Sequence, residues 1–184
     1  MDDSVQLSEL SPVGGSFSGR LFENRFLGYG PALTWTFDID FAEVHRDRDS
    51  TKTILSVDWV PANGESWHAL AGRTYSCTTF GERVESSIYF NSTDYRFDAA
   101  NLLVSQQESD RIKVEAHISG DIDSLGIPSF SVETELSFAG IIVALDDVGV
   151  DIPLAKRRLE EHTDATGLIG RDRGHYVIFE RPDE

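Results

Sequence analysis

The chain has 184 residues, 40% hydrophobic and 10% aromatic, which suits one domain with a full apolar core. Its 32 acidic residues outnumber 16 basic ones, and a net charge of −16 repels phosphate backbones and anionic headgroups, arguing against nucleic-acid and membrane partners. No apolar run reaches the roughly 18–20 residues that cross a bilayer.

Residues 1–150 carry 24 acidic and 10 basic side chains, −14, and residues 151–184 carry 8 and 6, −2. The acidity therefore belongs to the strand-rich body. It can steer a basic partner, or it can serve only solubility and adaptation to a salty interior. The single cysteine, Cys77, allows no internal disulfide and reads as a small core residue. With no basic patch and no apolar h-region near the N-terminus, the expected location is cytoplasmic.

Residues 1–13 are polar and acidic and read as a loose arm; 14–184 read as a single β-rich domain. Gly14 and Gly19 have the spacing of a phosphate-binding loop, but Arg20 and Leu21 replace its Lys and Ser/Thr, and no helical pattern follows. Phe17 occupies what would be the nucleophile position of a G-x-S-x-G elbow. The stretch reads instead as a glycine-rich turn entering a first strand at 17–22. After a turn at 28–31, Leu33, Trp35, Phe37, Ile39 and Phe41 alternate with Thr34, Thr36, Asp38 and Asp40, one face buried and one wet.

His45-Arg46-Asp47 spells a kinase tripeptide without the residues that give it meaning, since Lys52 stands five positions on where Asn is required. A strand over 53–60 places Leu55, Val57 and Trp59 on one side. Pro61-Ala62-Asn63-Gly64 is a turn; strands follow over 73–80 and 84–90, joined by a turn at Gly81-Glu82. Asn91-Ser92-Thr93 matches a glycosylation pattern that matters only in a secretory pathway. Short strands are expected at 95–97 and 102–105, with a polar link over 106–110.

Two long strands come next, 111–118 and 128–138, the second continuing as the apolar run 141–145. Antiparallel pairing can set Ala116 opposite Phe130 or opposite Val132 with every apolar side chain inward. The first option faces Lys113 with Glu133, the second faces Glu115 with Glu133; cross-strand pairs are worth roughly 0.2–1 kcal/mol, which favours the first. The loop between them begins like a calcium loop at Asp121 and Asp123, but Leu125 and Val132 occupy ligand positions five and twelve, so it is not an EF-hand. Asp151 and Pro153 open a short helix near 153–162. Gly167, Gly170 and Gly174 mark a flexible link, and a last strand closes near 175–180.

The fold class expected is all-β, mainly antiparallel: a sandwich or flattened barrel with one short C-terminal helix. The five histidines show no metal-ligand spacing, so no metal or other cofactor is expected. His117 and Glu115 form an acid/base pair only if their sheet lines a cleft. The leading functional expectation is a non-enzymatic protein-binding module, such as an acidic inhibitor or toxin-immunity protein, holding a basic partner through Asp38, Asp40, Asp121, Asp123, Glu133 and Glu135. A small-molecule-binding barrel or sandwich, its cavity partly lined by Trp35, Trp59, Trp67 and Tyr75, is the alternative. An enzyme assembled from distant residues stands third.

Overall fold

The computed structural model describes residues 5–46, 49–79 and 84–182. Strand β1 (Pro12–Asn24) turns through a short 3-10 segment into β2 (Tyr29–Phe41). A separate two-stranded ribbon, β3 (Val44–Arg46) and β4 (Asp49–Thr51), precedes β5 (Ile54–Pro61). Then follow β6 (Thr74–Thr78), β7 (Glu85–Phe90), β8 (Thr93–Glu108), β9 (Arg111–Asp121) and β10 (Ser129–Ala144). Helix α1 (Ile152–Glu160), β11 (Ile169–Asp172) and β12 (Val177–Glu180) complete the order.

Seven strands, in the order β1-β2-β5-β7-β8-β9-β10, close into a barrel because β1 also pairs with β10. Every pairing is antiparallel except that β1–β10 closure, which is parallel. Of the two all-β forms expected, the molecule is the barrel. Strands β12 and β11 extend the sheet beyond β10, and β6 pairs with β8 beside the end of β7. No helix among the described residues is long and apolar enough to cross a membrane.

Alternation builds the interior. Phe17, Trp35, Phe37, Phe97, Leu102 and Ile112 are fully buried, each contributing about 1.5–3 kcal/mol by leaving water. A ladder of rings crosses this core: Phe17 meets Trp35 and Phe138, and Trp67 stacks on Phe138 at 4.4 Å. The segment between β5 and β6 brings Trp67 there, tied by Gln107, whose side chain accepts from the Leu70 N–H and donates to the Trp67 carbonyl.

Several expectations are corrected. The first strand is longer than expected: β1 already begins at Pro12, after a 3-10 turn at Leu7–Glu9, and of the described residues before it only Val5 is buried. The glycine pair lies inside β1 and is no entry turn. A Cβ on Gly15 would sit 2.0 Å from the Asp38 carbonyl oxygen, so glycine lets β1 and β2 approach. What reads as two short strands and a link is one strand, β8, through Glu108, and only Ser109-Asp110 remain as the turn into β9. The glycine-marked link after α1 holds a strand, β11, in which Gly170 is a contact point: a Cβ there would meet Ile152 at 2.6 Å and Phe179 at 3.0 Å. The turn at Gly81-Glu82 and Asp47 lie outside the described residues.

Helix α1 starts as its residues dictate. Asp151 accepts a hydrogen bond from the Leu154 N–H at 2.9 Å, and Pro153 fills the first turn. Ala155 and Leu159 face the barrel, while Arg158 pairs with Asp147.

The β9–β10 register is the one with Val132 opposite Ala116, so Glu115 faces Glu133. Lys113 stands opposite Glu135 and reaches diagonally to Glu133, with Nζ 2.6 Å from Oε1. Strand offsets in a closed barrel must agree around the whole ring. One pair's preference of roughly 0.2–1 kcal/mol does not decide them.

Candidate functional site

The expected acidic surface comes apart into side chains with internal tasks and side chains facing water. Asp121 accepts hydrogen bonds from the Leu125 and Gly126 N–H groups at 2.8 and 2.6 Å. Asp123 receives the Arg96 guanidinium through two bonds of 2.9 Å and the Arg96 backbone N–H at 2.9 Å. These bonds to Arg96 hold the Asp123 carboxyl down to about 2. The calcium-like spacing is thus a staple: it folds the loop, in which Leu125 and Ile127 are buried. Asp38 is half-buried and accepts from the Ser56 hydroxyl at 2.6 Å; burial raises its carboxyl above the usual range, against that bond. Asp40 pairs with Lys52 at 3.1 Å, and Glu133 with Lys113. Glu135 stays exposed on β10.

Two of the hollows on the molecule's surface lie against the barrel strands. The shallower, about 460 Å³, crosses the outer faces of β6, β8, β9 and β10. His117 lies in it, hydrogen-bonded through Nδ1 to the Ser131 hydroxyl at 2.9 Å. The sheet therefore does line a depression, but the ring is hydrogen-bonded to Ser131.

The larger hollow, about 800 Å³, opens where β5 and β6 part. Phe22, Tyr29, Leu33, Trp59, Tyr75 and Cys77 line it, with Asn24 and Asn63 adding amide groups. A volume of this size falls within the roughly 300–1,000 Å³ of small-molecule sites, and mostly apolar walls with a few polar groups are typical of them.

Its shape follows from one bulge. Strand β5 pairs with β2 as Phe37↔Val57 and then Trp35↔Val60, so Asp58 and Trp59 together oppose Thr36. Trp59 takes φ 64°, a conformation rare for a bulky side chain. The extra residue turns the indole from the inward set of Leu55 and Val57 onto the outer wall, and Val60 resumes the inward phase. There its ring meets Phe22 edge-on at 4.8 Å, and the Arg20 guanidinium lies 5.8 Å from its centroid. The expectation that Trp59 shares a face with Leu55 and Val57 is corrected by this bulge.

Across the hollow, Tyr75 donates to the Glu65 carboxylate at 2.6 Å, and Arg73 sits 3.3 Å from the other oxygen. Burial and that hydrogen bond both raise the Tyr75 hydroxyl well above the usual tyrosine value, so it remains a donor. Next to Trp59, burial raises the Asp58 carboxyl despite a 2.8 Å hydrogen bond from the Thr36 hydroxyl, and Glu85 directly opposite adds to the rise.

Of the four residues expected around a cavity, the structure brings together Trp59 and Tyr75. Trp35 and Trp67 are packed into the core. The sequence reading missed Phe22, Tyr29 and Leu33 as lining, because the site is made by one bulge and by the edges of β5 and β6, which lack a neighbour there among the described residues. No protein-family model, curated protein or solved structure matches the chain.

Proposed function

We propose that this chain is a non-enzymatic binding module that receives an apolar group of its ligand in the hollow between β5 and β6. The observation that carries the reading is Trp59. A tryptophan at φ 64° costs about 1–2 kcal/mol relative to an ordinary strand conformation. Such strain concentrates at ligand sites, where the surrounding structure holds it. Here it places the indole in the wall of a hollow also lined by Phe22, Leu33 and Tyr75. A basic partner held by the acidic surface remains the second reading. Its support is the net charge of −16 together with exposed Glu135 and the opposed Glu115 and Glu133. The tasks of Asp121 and Asp123 inside their loop weigh against their serving that surface.

The test is titration with an environment-sensitive hydrophobic dye, followed by its fluorescence. One dye per chain is expected, with affinity lowered about tenfold in Trp59→Ala, as for a central aromatic anchor. Leu103→Glu, in the shallower hollow, should leave binding unchanged. Dye binding indifferent to Trp59 and sensitive to Leu103 would overturn the assignment.

A further inference from the structure

We infer that the natural occupant of this hollow is an extended segment of another protein, apolar at alternate positions and basic at its flanks, which adds to β6 as a new strand. This rests on the reading of the hollow as a ligand site and names what fills it.

The topology leaves β6 half-paired. Strands β7 and β6 lie end to end on one side of β8, β7 pairing with residues 93–97 and β6 with 99–103, while β9 holds the other side. Strand β5 runs beside β7 only as far as Asp58↔Glu85. Beyond that point, among the described residues, β5 has no neighbour on the β6 side and β6 has none on the β5 side. Two strand edges therefore face the same 800 Å³ hollow.

The direction of the free peptide groups follows from the pairing. The Arg73 carbonyl accepts from the Val104 N–H at 2.9 Å, and the Thr79 N–H donates to the Asp98 carbonyl at 2.8 Å. In an antiparallel ladder the N–H and C=O of one residue point the same way and alternate along the strand. Arg73, Tyr75, Cys77 and Thr79 thus address β8. Thr74, Ser76 and Thr78 point the other way, and Thr74 and Ser76 line the hollow. Such an edge is a template for strand addition, in which main-chain bonds give affinity and pockets for alternate side chains give specificity.

Apolar and charged features select the sequence of the strand. One set of its side chains would meet Phe22 and Trp59, the lining aromatics that the bulge places together. Beside them the β5–β7 ladder ends in two opposed carboxylates, Asp58 and Glu85; Arg20 offsets part of the negative field at Asp58, and Asp94 adds to it. Like charges directly opposite one another are destabilising, and a lysine or arginine on the incoming strand relieves them. The net charge of −16 steers such a segment toward the site.

The experiment uses a short synthetic peptide with phenylalanine and leucine at alternate positions and lysine at both ends, followed by fluorescence polarisation with the full chain. N-methylation of the amides on one edge of the peptide should weaken binding about tenfold, and on the other edge little, since only one edge joins the ladder. Replacing the terminal lysines by glutamates should weaken it at least as much, and the lysine peptide should lose affinity between about 50 and 300 mM salt. Ser76→Pro, which removes an N–H addressing the hollow and none addressing β8, should mimic the sensitive N-methylation. Equal effects of N-methylation on both edges would overturn strand addition without requiring any variant to fold. If the dye binds in a Trp59-dependent way but the peptide does not bind, the peptide inference falls and the hollow stands. If neither depends on Trp59, both fall.

Discussion

The positive φ at Trp59 predicts an inversion of the ordinary order of alanine and glycine. Within a regular strand alanine is the more stable of the two by roughly 0.5–1 kcal/mol, because glycine loses more backbone freedom on folding. At φ 64° any Cβ meets the left-handed penalty of about 1–2 kcal/mol, which glycine escapes. Trp59→Ala and Trp59→Gly remove the same ring, so the contacts with Phe22 and Arg20 cancel between them. What remains is the backbone difference. Trp59→Gly should be the more stable by about 1 kcal/mol, equivalent to about 2–4 °C in Tm for a chain of this size. Urea unfolding followed by circular dichroism reads the difference as a shift of midpoint at constant m. Alanine equal to or better than glycine would show that the bulge relaxes once the ring is gone, and would remove the strain from the functional argument. The same series separates stability from binding. Trp59→Gly should cost far less than the roughly 3–5 kcal/mol of deleting a core tryptophan, yet lose dye binding.

Three further perturbations probe the frame around the hollow. Gly170→Ala places a Cβ against Ile152 and Phe179 at 2.6 and 3.0 Å and should destabilise by about 1–3 kcal/mol through overpacking; a neutral result would mean that α1 shifts freely on β11. Tyr75→Phe removes the hydroxyl that donates to nearly buried Glu65 and should cost about 1–3 kcal/mol at neutral pH, measured by urea unfolding. Asp123 has a folded value held at about 2, below its ordinary 3.8, so its stabilisation is complete above the higher value and is lost as pH falls toward the lower one. Asp123→Asn should therefore lower stability at pH 7 and flatten the acid limb of the stability profile over that interval. An unchanged limb would show that the Arg96 pairing does not persist in solution.

The barrel was legible because its walls obey period two. Leu33 to Phe41 and Arg111 to Ile118 alternate cleanly, and the buried set is the one that alternation selects. Asp151 and Pro153 likewise announce α1 by a cap that needs no tertiary partner. The reading failed where geometry depends on the ring as a whole. Nothing local in Ala116, Phe130 and Val132 distinguishes the two registers, since both keep the apolar faces inward. Closure of β1 onto β10 fixes an offset that Lys113 then accommodates by reaching diagonally to Glu133.

Trp59 failed for a related reason. Its spacing from Leu55 and Val57 is the spacing of a core residue, and only the β2 register, with Trp35 opposite Val60, requires the extra residue that turns it outward. Asp121 and Asp123 show the opposite error. Their residue types promised an exposed charged surface, yet Asp121 satisfies backbone N–H groups of its own loop, at Leu125 and Gly126, and Asp123 satisfies the backbone N–H and guanidinium of Arg96 on β8. A carboxylate near a long loop is therefore weaker evidence of a site than a bulky residue held in a conformation it disfavours. The first relieves the fold of unmet hydrogen bonds. The second opposes the fold, and that strain is the observation on which the proposed binding role rests.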